Sequence, residues 1–521
     1  MTVCYIGNSF KYETEAVLKL FLPIVTFDFL FEEYPQVGDF CIIKREPNND
    51  GYTLSVTVSL DGTNESLEET RSGDFSDKDD EAALCKMLYL IMQKLKGVTP
   101  AWGLLTGIRP VKKVNELLDR GLDKAEIFSA LKEKYFVSDE KLELAYSTAV
   151  TQADALAALD KRSYSLYVSI PFCPSRCSYC SFVSHSIESA GAKKLLPDYV
   201  KKLCEEIAQT SEIARELGLR LDTIYIGGGT PTALSAEQLE AVMSAVKKNF
   251  DISKIREYTV EAGRSDTITE KKLEIIRDFG ATRISVNPQT MNDAVLEAIG
   301  RRHTAKDVVS AFDKARRLGF GNINMDVIAG LPTDTPESFL QTIETLCGLD
   351  PESITIHTLT VKRSSKLFSE EERRVDGRKQ QFHFENENKI LRQNPYTQNF
   401  GSDFVHFLRG MAVSEMVLTG QTVLLEKGYL PYYLYRQKNT VDNLENVGFA
   451  KAGYECLYNI YIMEEAQTIL AVGAGGSTKL VNTGTGKIER LFNYKFPYEY
   501  ISRYDKMISK KDRIAEFFAG I

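Results

Sequence analysis

The sequence predicts an α/β protein whose centre is a partial (β/α)6, TIM-like barrel. Strand-like and helix-like segments alternate six times between about residues 163 and 365. Polar residues or glycines stand at the C-terminal end of each strand-like segment, and the first is followed by a loop with three closely spaced cysteines. Because such alternation produces parallel sheets with right-handed crossovers, we expect these strand ends to meet on one rim.

Residues 1 to about 95 are predicted to form a small N-terminal α/β module. Its strands are expected at Val25–Phe31, Phe40–Lys44 and Thr53–Ser59. The sequence Asn48-Asn-Asp-Gly51 favours a hairpin turn between the last two, and a helix with an acidic first turn follows near Lys78–Leu95. The module shows no pattern of known chemistry, so we expect a structural or docking role. Residues 96 to 162 are predicted to be a helical connector.

Residues 163 to 370 are predicted to form the barrel. Its strands are expected at Ser165–Ile170, Thr223–Ile226, Glu257–Glu261, Thr282–Val286, Ile323–Ile328 and Ser353–Thr358. Its helices are expected near Asp198–Leu217, Ala236–Asn249, Glu270–Phe279, Ala305–Leu318 and Pro336–Cys347. Six units are too few to close an eight-stranded barrel, so an open, partial barrel is expected.

The C-terminal ends of the predicted strands are rich in functional groups. In chain order these are Gly227–Pro231, Glu261, Asn287–Gln289, Asp326, and His357 with Thr360. Active sites of barrel-like α/β proteins are assembled on this rim. The sequence therefore predicts a functional site there.

Residues 371 to 521 are predicted to form a C-terminal α+β region that acts as a substrate or lid region. The polar stretch Arg373–Arg409 is typical of either a lid or a surface insertion. A helix is expected at Ala412–Lys427. The aromatic segment Tyr429–Tyr435 is typical of a core, although a planar substrate could also use it. Leu470–Ser477 has the pattern of a strand that enters a glycine turn.

The composition narrows the class of protein. The net charge of −8 and the isoelectric point near 5.5 argue against a dedicated nucleic-acid binder. No apolar segment reaches the length of a membrane span, and no basic leader precedes an apolar core at the N-terminus. We therefore expect a cytoplasmic protein without a membrane or nucleic-acid partner.

Cys173, Cys177 and Cys180 form the most informative pattern in the chain. Three thiolates on one tight loop can hold three corners of a [4Fe–4S] cube and leave the fourth iron free for a substrate or cofactor. A disulfide is disfavoured, because the cysteine total of nine is odd and a secretory leader is lacking. A zinc site with His185 as the fourth ligand stays open on the residues alone.

With its flanking residues this motif resembles the radical S-adenosylmethionine (SAM) superfamily. The resemblance rests on the segment Tyr167–Cys180 and on Gly227-Gly-Gly-Thr-Pro231. Within the superfamily the chain is similar to the oxygen-independent coproporphyrinogen III oxidases, the HemN-like family. Further matching segments are Arg283–Gln289, Arg301, Asn324–Pro332 and Gly473–Ser477. The segments Trp102–Pro110 and Pro431–Lys438 indicate the HemZ branch of that family.

The resemblance implies that the three cysteines ligate a [4Fe–4S] cluster and that one or two SAM molecules bind beside it. It implies cofactor contacts for Tyr167, Tyr179, Gly228, Gly229, Thr230, Glu261, Gln289, Arg301, Asp326 and Thr360. The segment Gly228–Thr230 matches the one that meets the methionine amino group. Carboxylate and amide acceptors suit ribose hydroxyls and an ammonium group, and a guanidinium suits a carboxylate. No residue is assigned to the chemical step itself.

The implied activity is the oxidative decarboxylation of two propionates of coproporphyrinogen III to vinyl groups, which gives protoporphyrinogen IX. In this family a 5′-deoxyadenosyl radical from SAM takes a hydrogen from the propionate β-carbon, and CO2 and one electron are then lost. The implied partners are a tetrapyrrole, either coproporphyrinogen III or heme, and an electron donor such as flavodoxin or ferredoxin.

Two departures from the oxidase pattern keep other functions open. Phe182 stands where the oxidase has a further cysteine, and heme chaperones of the family also carry Phe there. The family's His-Asn pair is Tyr458-Asn459 in this chain. The alternatives are a HemW-like heme chaperone that binds heme and a cluster without oxidase activity, or a radical SAM enzyme for another tetrapyrrole. A chaperone needs a heme ligand, and the candidates are His185, His303, His357, His383 and His406.

Overall fold

The computed structural model describes residues 1–23, 25–35, 38–49, 51–73, 75–182, 184–360, 402–437 and 443–519. They divide into two compact units, Met1–Tyr146 and Ser147–Ile521, and the division falls inside a helix. The finer four-part division at about residues 95, 162 and 370 stays a proposal. Within the described ranges, no helix combines the length and the apolar character needed to cross a membrane.

The first unit is built on a five-stranded sheet. Its strands are β1 (Thr2–Ile6), β2 (Asp28–Phe31), β3 (Phe40–Asn48), β4 (Gly51–Leu60) and β5 (Thr63–Arg71). The order is β2-β1-β3-β4-β5, with β1 parallel to both of its neighbours and β3, β4 and β5 antiparallel. The three predicted strands are present. The sequence did not reveal β5, because most of its residues are polar and exposed and it lacks an apolar alternation.

Five helices begin in the first unit. They are α1 (Lys11–Phe21), α2 (Asp77–Lys96), α3 (Val111–Leu118), α4 (Lys124–Tyr135) and α5 (Asp139–Ala157). The predicted helix is α2, which begins with a capping box between Ser76 and Asp79 and ends at Gly97 in the left-handed conformation. Its apolar face packs on the sheet and supplies Leu84, Leu88 and other side chains to the core of this unit.

The second unit contains an eleven-stranded sheet. Its strands are β6 (Ser163–Ile170), β9 (Arg220–Gly228), β10 (Glu257–Gly263), β11 (Arg283–Val286), β12 (Ile323–Ala329), β13 (Ser353–Thr358), β14 (Leu430–Arg436), β15 (Glu445–Ala450), β16 (Thr468–Val472), β17 (Ser477–Asn482) and β18 (Lys487–Phe492). A separate two-stranded pair consists of β7 (Phe172–Cys173) and β8 (His185–Ser186). The sheet order is β14-β15-β13-β12-β11-β10-β9-β6-β16-β17-β18.

The six predicted barrel strands are β6 and β9 to β13, and all of them run parallel to their neighbours within this set. The α/β class and the partial barrel are therefore confirmed. The sheet continues beyond the prediction, because β16 pairs in parallel with β6 as a seventh parallel strand. Antiparallel strands extend it at both edges.

The remaining helices connect or follow these strands. They are α6 (Ala190–Glu216), α7 (Ala236–Asn249), α8 (Glu270–Asp278), α9 (Asp293–Ala298), α10 (Ala305–Arg317), α11 (Pro336–Leu349), α12 (Ser402–Glu426), α13 (Leu457–Glu464), α14 (Pro497–Ser502), α15 (Tyr504–Ile508) and α16 (Asp512–Ala519). The helix predicted at Ala412–Lys427 begins earlier, at Ser402. Residues 361–401, which hold most of the polar stretch and His383, lie outside the described residues.

One face of the barrel strands carries a buried polar network. Ser165 of β6 shares a hydrogen bond of 2.7 Å with Thr223 of β9. Farther along the sheet, Arg283 donates to Ser353 at 2.8 Å, and Ser353 donates to Asn324 at 3.2 Å. Buried polar groups are costly unless they are paired, so these bonds favour one register of the strands. They thereby set where the strand ends meet.

Candidate active site

The cysteine loop begins where β6 ends. Cys173 lies on β7, which pairs with β8, and the Ile187 amide donates to the Cys173 carbonyl at 2.9 Å. Farther along the loop, the Ser178 amide donates to the Ile299 carbonyl at 3.1 Å. Cys177 is buried, while the side chains of Cys173 and Cys180 are partly exposed, and all three are free thiols. Backbone hydrogen bonds therefore hold the loop near Cys173 and near Cys177, and all three thiols are free to bind a metal.

Arg264, directly after β10, holds the middle of this loop. It is buried, and it donates to the Ser175 carbonyl at 3.2 Å and to the Ser175 hydroxyl at 2.8 Å. Two further donations, at 2.9 and 2.6 Å, go to the Asp266 carboxylate. A bidentate carboxylate fixes the guanidinium plane, so Arg264 acts as a rigid clamp on the segment between the first two cysteines. The sequence analysis missed it, although it follows Glu261 by three positions on the same rim.

The glycine segment after β9 lies directly against the cysteine loop. A Cβ on Gly229 would stand 2.6 Å from the Phe172 carbonyl oxygen and 3.0 Å from the Cys173 sulfur. The Thr230 hydroxyl donates to the same sulfur at 3.6 Å. Gly228 has a φ of 110°, which disfavours a side chain. The segment thus packs closely against the loop beside the first cysteine.

The thiols fit a multinuclear cluster better than a single ion. Within the part of the chain that the structure describes, no group of three or more His, Cys, Asp or Glu residues is arranged around one metal position. In a cubane each thiolate binds a different iron, so its ligands need not converge on one point. Burial raises the pKa of Cys173, and it raises that of Cys180 to about 11. Iron binding would therefore displace protons from these thiols.

His185, the candidate fourth zinc ligand, takes a different position. Its ring contacts Phe172 and Phe496, with ring centroids 6.4 and 6.3 Å apart. Burial, followed by the charge of Arg176, lowers its pKa. It packs as an aromatic side chain beside the loop.

Glu261 is a protonatable carboxyl at the end of β10. The Tyr225 hydroxyl donates to it at 2.6 Å. Burial raises the pKa of Glu261 to about 7, and the nearby charge of Asp326 acts in the same direction. The Tyr225 hydroxyl, the Gly228 amide and the charge of Arg283 oppose that shift. This carboxyl can therefore switch between donor and acceptor near neutral pH.

Asp326 lies on β12, and Gln289, three positions after the end of β11, lies beside it. The Gln289 amide donates to the Asp326 carbonyl at 2.9 Å, and Gln289 has a φ of 70°. Its side-chain oxygen is buried and has no hydrogen-bond partner among the described residues. Asn324 donates to the Asp326 carboxylate at 2.7 Å. An unsatisfied buried acceptor beside a carboxylate suits a ligand with hydroxyl or amino donors.

Arg301 and Tyr179 form a second group near the cysteines. Arg301 is buried and donates to the Asn287 carbonyl at 2.6 Å and to the Tyr179 hydroxyl at 3.2 Å. Its Nε atom is buried with no partner within the described ranges. Interaction with Tyr179 and Cys177 raises the pKa of Arg301, against the opposing effect of burial, so the guanidinium stays charged. The Arg301 guanidinium is therefore suited to bind the carboxylate of a ligand.

Within the described part of the chain, Tyr167 and Thr360 make no hydrogen bond to Glu261, Gln289, Asp326 or Arg301. The Tyr167 ring stacks on Tyr225 and Tyr458, with centroid distances of 6.2 and 6.0 Å. Burial raises its pKa above the usual range. The Thr360 hydroxyl donates to the carbonyl of Thr358 at 3.4 Å, within its own segment. Tyr167 thus belongs to an aromatic wall beside Glu261, and the described contacts do not link Thr360 to the other candidates.

The aromatic wall reaches the last barrel strand. The Tyr435 hydroxyl lies 3.5 Å from Nδ1 of His357, whose Nε2 lies 4.0 Å from the Asp326 carboxylate. The Tyr225 and Tyr458 rings stack at 4.5 Å. The sequence analysis did not select Tyr225, and it named Tyr435 only as part of the aromatic segment Tyr429–Tyr435. Tyr225 precedes Gly227 by two positions, so the two-residue period of a strand could have placed Tyr225 and Gly227 on one face of the sheet.

The Gly473–Ser477 turn is held by buried contacts. The Gly473 amide donates to the Glu206 carboxylate at 2.7 Å, and the Ala474 amide donates to the Tyr199 hydroxyl at 3.0 Å. Gly473 has a φ of 90°, and a Cβ there would stand 2.5 Å from the Ser169 carbonyl oxygen. Packing against β6 therefore requires a glycine at position 473.

Comparison with known proteins identifies the family. The model of the Radical SAM superfamily matches residues 167–346. The oxygen-independent coproporphyrinogen-III oxidase-like protein HemZ of Bacillus subtilis is 37% identical over 434 residues, 82% of this chain and 80% of that protein. The chain belongs to the HemZ family of radical SAM proteins. A [4Fe–4S] cluster and SAM are therefore its cofactors, and membership of this superfamily supports an enzyme.

Other relatives share parts of the chain. The heme chaperone HemW of Bacillus subtilis is 36% identical over 206 residues, 39% of this chain and 52% of that protein. The heme chaperone HemW of Haemophilus influenzae is 28% identical over 360 residues, 68% of this chain and 81% of that protein. Among solved structures, coproporphyrinogen III oxidase (HemN) from Escherichia coli is similar with a TM-score of 0.47 and 21% identity, covering 69% of this chain and 73% of that one.

The raised pKa of Glu261 predicts that SAM binding to this HemZ-family protein depends on pH. Ribose hydroxyls would donate to the ionised carboxylate, so binding favours the deprotonated form. We expect the dissociation constant of SAM to rise roughly tenfold per pH unit as the pH falls below about 7. Calorimetry on the reconstituted protein measures this dissociation constant. Glu261→Gln should bind more weakly and lack this component of the pH dependence, and an identical profile in both proteins would contradict the assignment.

Proposed function

We propose that the protein is an oxygen-independent coproporphyrinogen III dehydrogenase. The observation that carries the proposal is the extent of its similarity to the oxidase-like HemZ protein. The matched length of 434 residues exceeds the whole second unit, Ser147–Ile521, so it must extend into the first. The match to HemW of the same organism covers 206 residues. A function shared with the HemZ type therefore has the broader support.

The arrangement of the rim supports a SAM-dependent radical reaction. The glycine segment and Tyr179, a partner of Arg301, adjoin the cysteines, while Glu261 and Asp326 lie on β10 and β12 and Gln289 follows β11. Buried side-chain atoms of Gln289 and Arg301 lack partners in the described part of the chain, as expected for atoms that bind a ligand. When bound, the cluster and SAM supply a 5′-deoxyadenosyl radical that can take a hydrogen from an unactivated carbon.

The side chains of this protein would bind and orient SAM beside the cluster. Carbonyl groups of the Gly228–Thr230 segment can accept from the methionine amino group, since the Gly229 and Thr230 amides already donate to Ile170 and Phe172. Arg301 would hold the carboxylate, and Glu261 the ribose hydroxyls. The stacked rings of Tyr167, Tyr225 and Tyr458 form a wall that excludes water from the neighbouring carboxyl.

A heme chaperone is the second candidate function. Several relatives bear the name heme chaperone HemW, and Phe182 is 67% exposed two positions after Cys180. An exposed aromatic ring offers a surface to a planar tetrapyrrole. Of the histidines whose side chains the structure describes, His303 is buried and His185 packs between rings, whereas His357 lies on the rim with a partly exposed side chain; the side chains of the candidates His383 and His406 are outside that set. His357 would be the heme ligand in that function.

An anaerobic assay of the iron-reconstituted protein with SAM, dithionite and coproporphyrinogen III tests both candidates. We expect 5′-deoxyadenosine together with a porphyrin product that has lost two CO2, detected by mass spectrometry. Formation of 5′-deoxyadenosine with unchanged porphyrinogen would contradict this substrate and favour another tetrapyrrole. An intact cluster that yields neither product, with heme binding that His357→Ala abolishes, would favour the chaperone.

A further inference from the structure

Four basic side chains cluster on the segment that follows β18. Lys495, Arg503, Lys506 and Lys510 are all exposed, and we call them the basic patch. Within the described ranges, none of them has a carboxylate within 4.0 Å, although nearby Lys487 and Arg513 both pair with Glu489. The chain as a whole carries a net charge of −8. Glu499 and Asp505 lie in the same segment, so four cations outnumber two carboxylates and the patch is a local positive region on an acidic protein.

Two of the four cations of the basic patch are held against one aromatic ring. The Tyr494 ring lies 5.6 Å from the Arg503 guanidinium and 4.9 Å from the Lys510 ammonium, so both cations share one aromatic ring. Beneath them, Tyr500 is buried and its hydroxyl donates to the buried Glu206 carboxylate at 2.6 Å. Fixed cations lose little freedom when a partner binds, which favours a docking function.

The basic patch is connected to the cysteine loop through aromatic contacts. Tyr498 is 51% exposed within this segment, and its ring stacks on Phe496 at 5.6 Å. The Phe496 ring lies 6.3 Å from that of His185, whose strand β8 pairs with the strand that carries Cys173. The Gly475 amide also donates to the Tyr494 carbonyl at 2.9 Å, which anchors the segment to the rim turn. Because β18 runs in the same direction as β6, the patch follows the same end of the strands as the cluster loop.

We propose that the basic patch docks an acidic one-electron donor protein, a flavin or iron–sulfur carrier with carboxylates around its cofactor. The donor loses one electron and the [4Fe–4S] cluster gains it, with no bond made or broken. Complexes for electron transfer are small and depend on charge steering, and four exposed cations without a carboxylate partner among the described residues, on the same segment as the exposed Tyr498, suit such an encounter. The inference rests on the proposed function only in requiring a cluster that is reduced.

The test is the rate at which a flavodoxin hydroquinone reduces the reconstituted cluster, followed anaerobically by the loss of cluster absorbance. The variant combines Lys495→Glu, Arg503→Glu, Lys506→Glu and Lys510→Glu. We expect its second-order rate constant at low salt to fall at least about tenfold, and that of the wild type to fall as salt is added. A variant with Gln at the four positions should have a rate constant between those of the wild type and the Glu variant. Dithionite should reduce the cluster to the same extent in all proteins.

A matched control reverses four exposed lysines at the opposite ends of the strands. These are Lys247, Lys248, Lys254 and Lys427, on segments that lead into β10 and β14. The control should stay within about twofold of the wild type, because steering acts through local charge. Reduction of the patch variant at the wild-type rate would overturn the proposal. The same would follow if the variant lost binding to a DNA oligonucleotide or to anionic vesicles while its reduction rate was unchanged.

This experiment is independent of the porphyrinogen assay. It reads only the redox state of the cluster, so it can succeed when coproporphyrinogen III is not a substrate. Conversely, a protein that decarboxylates the porphyrinogen with dithionite but shows no effect of the basic patch would retain the proposed function and lose the docking site.

Discussion

Cys177→Ser is expected to remove the [4Fe–4S] cluster and, with it, all cleavage of SAM. Cys177 is the buried member of the three thiols, and a serine hydroxyl is a poor ligand for cluster iron. Bound iron after reconstitution should fall to background, and formation of 5′-deoxyadenosine should fall at least about a hundredfold. Iron analysis and cluster absorbance measure the first quantity and product detection measures the second, while circular dichroism confirms that the fold is kept.

Cys204→Ser and Cys347→Ser are the matched controls for this prediction. Both residues are half-buried free thiols on helices, away from the cysteine loop. They should bind iron as the wild type does. A Cys177→Ser protein with a full complement of iron and sulfide would exclude this residue as a ligand.

Gly229→Ala is expected to displace the cysteine loop. The added methyl group would meet the carbonyl oxygens of Phe172 at 2.6 Å and of Ile170 at 2.9 Å, which belong to the backbone and cannot rotate away. The strand or the loop must shift, and we expect a loss of about 1–3 kcal/mol in the free energy of unfolding. Because the Cys173 sulfur stands 3.0 Å from the same position, cluster retention in the presence of a chelator should also fall sharply.

Gly348→Ala provides the opposite control. Gly348 lies in the last turn of α11, and a Cβ there would have no atom within 4 Å. Alanine favours a helix over glycine, so this variant should gain roughly 0.5–1 kcal/mol and retain its cluster. Thermal unfolding of both variants measures the difference. Equal stability of the two would contradict the close packing at Gly229.

The sequence predicts the barrel well because the periodicity of its strands is strong. All six predicted strands lie within three residues of their observed bounds and occur in the predicted order. The seventh parallel strand, β16, was recognised as a strand, but its partner β6 lies some three hundred positions earlier. A local sequence pattern does not indicate which distant strand is the pairing partner. The early start of α12 was also missed, since its first residues fall in a polar stretch.

The candidate site was predictable in its residue types and less so in its contacts. Motif order placed Glu261, Gln289 and Asp326 on one rim, and the structure brings them together. The left-handed backbone of Gln289 and the raised pKa of Glu261 depend on neighbours that only the fold supplies. Arg264 was missed for the same reason, because its function as a clamp is visible only through its bonds to Ser175.

The position of β16 has a consequence for biosynthesis. Strand β6, which leads into the cysteine loop, has β9 on one side and β16 on the other. A nascent chain that has passed the cysteines still leaves one side of β6 unpaired until residues 468–472 emerge. An unpaired buried strand can join the wrong partner, and distant pairings form slowly. Cluster insertion before translation ends would therefore act on an incomplete barrel, so the iron donor should favour the finished chain.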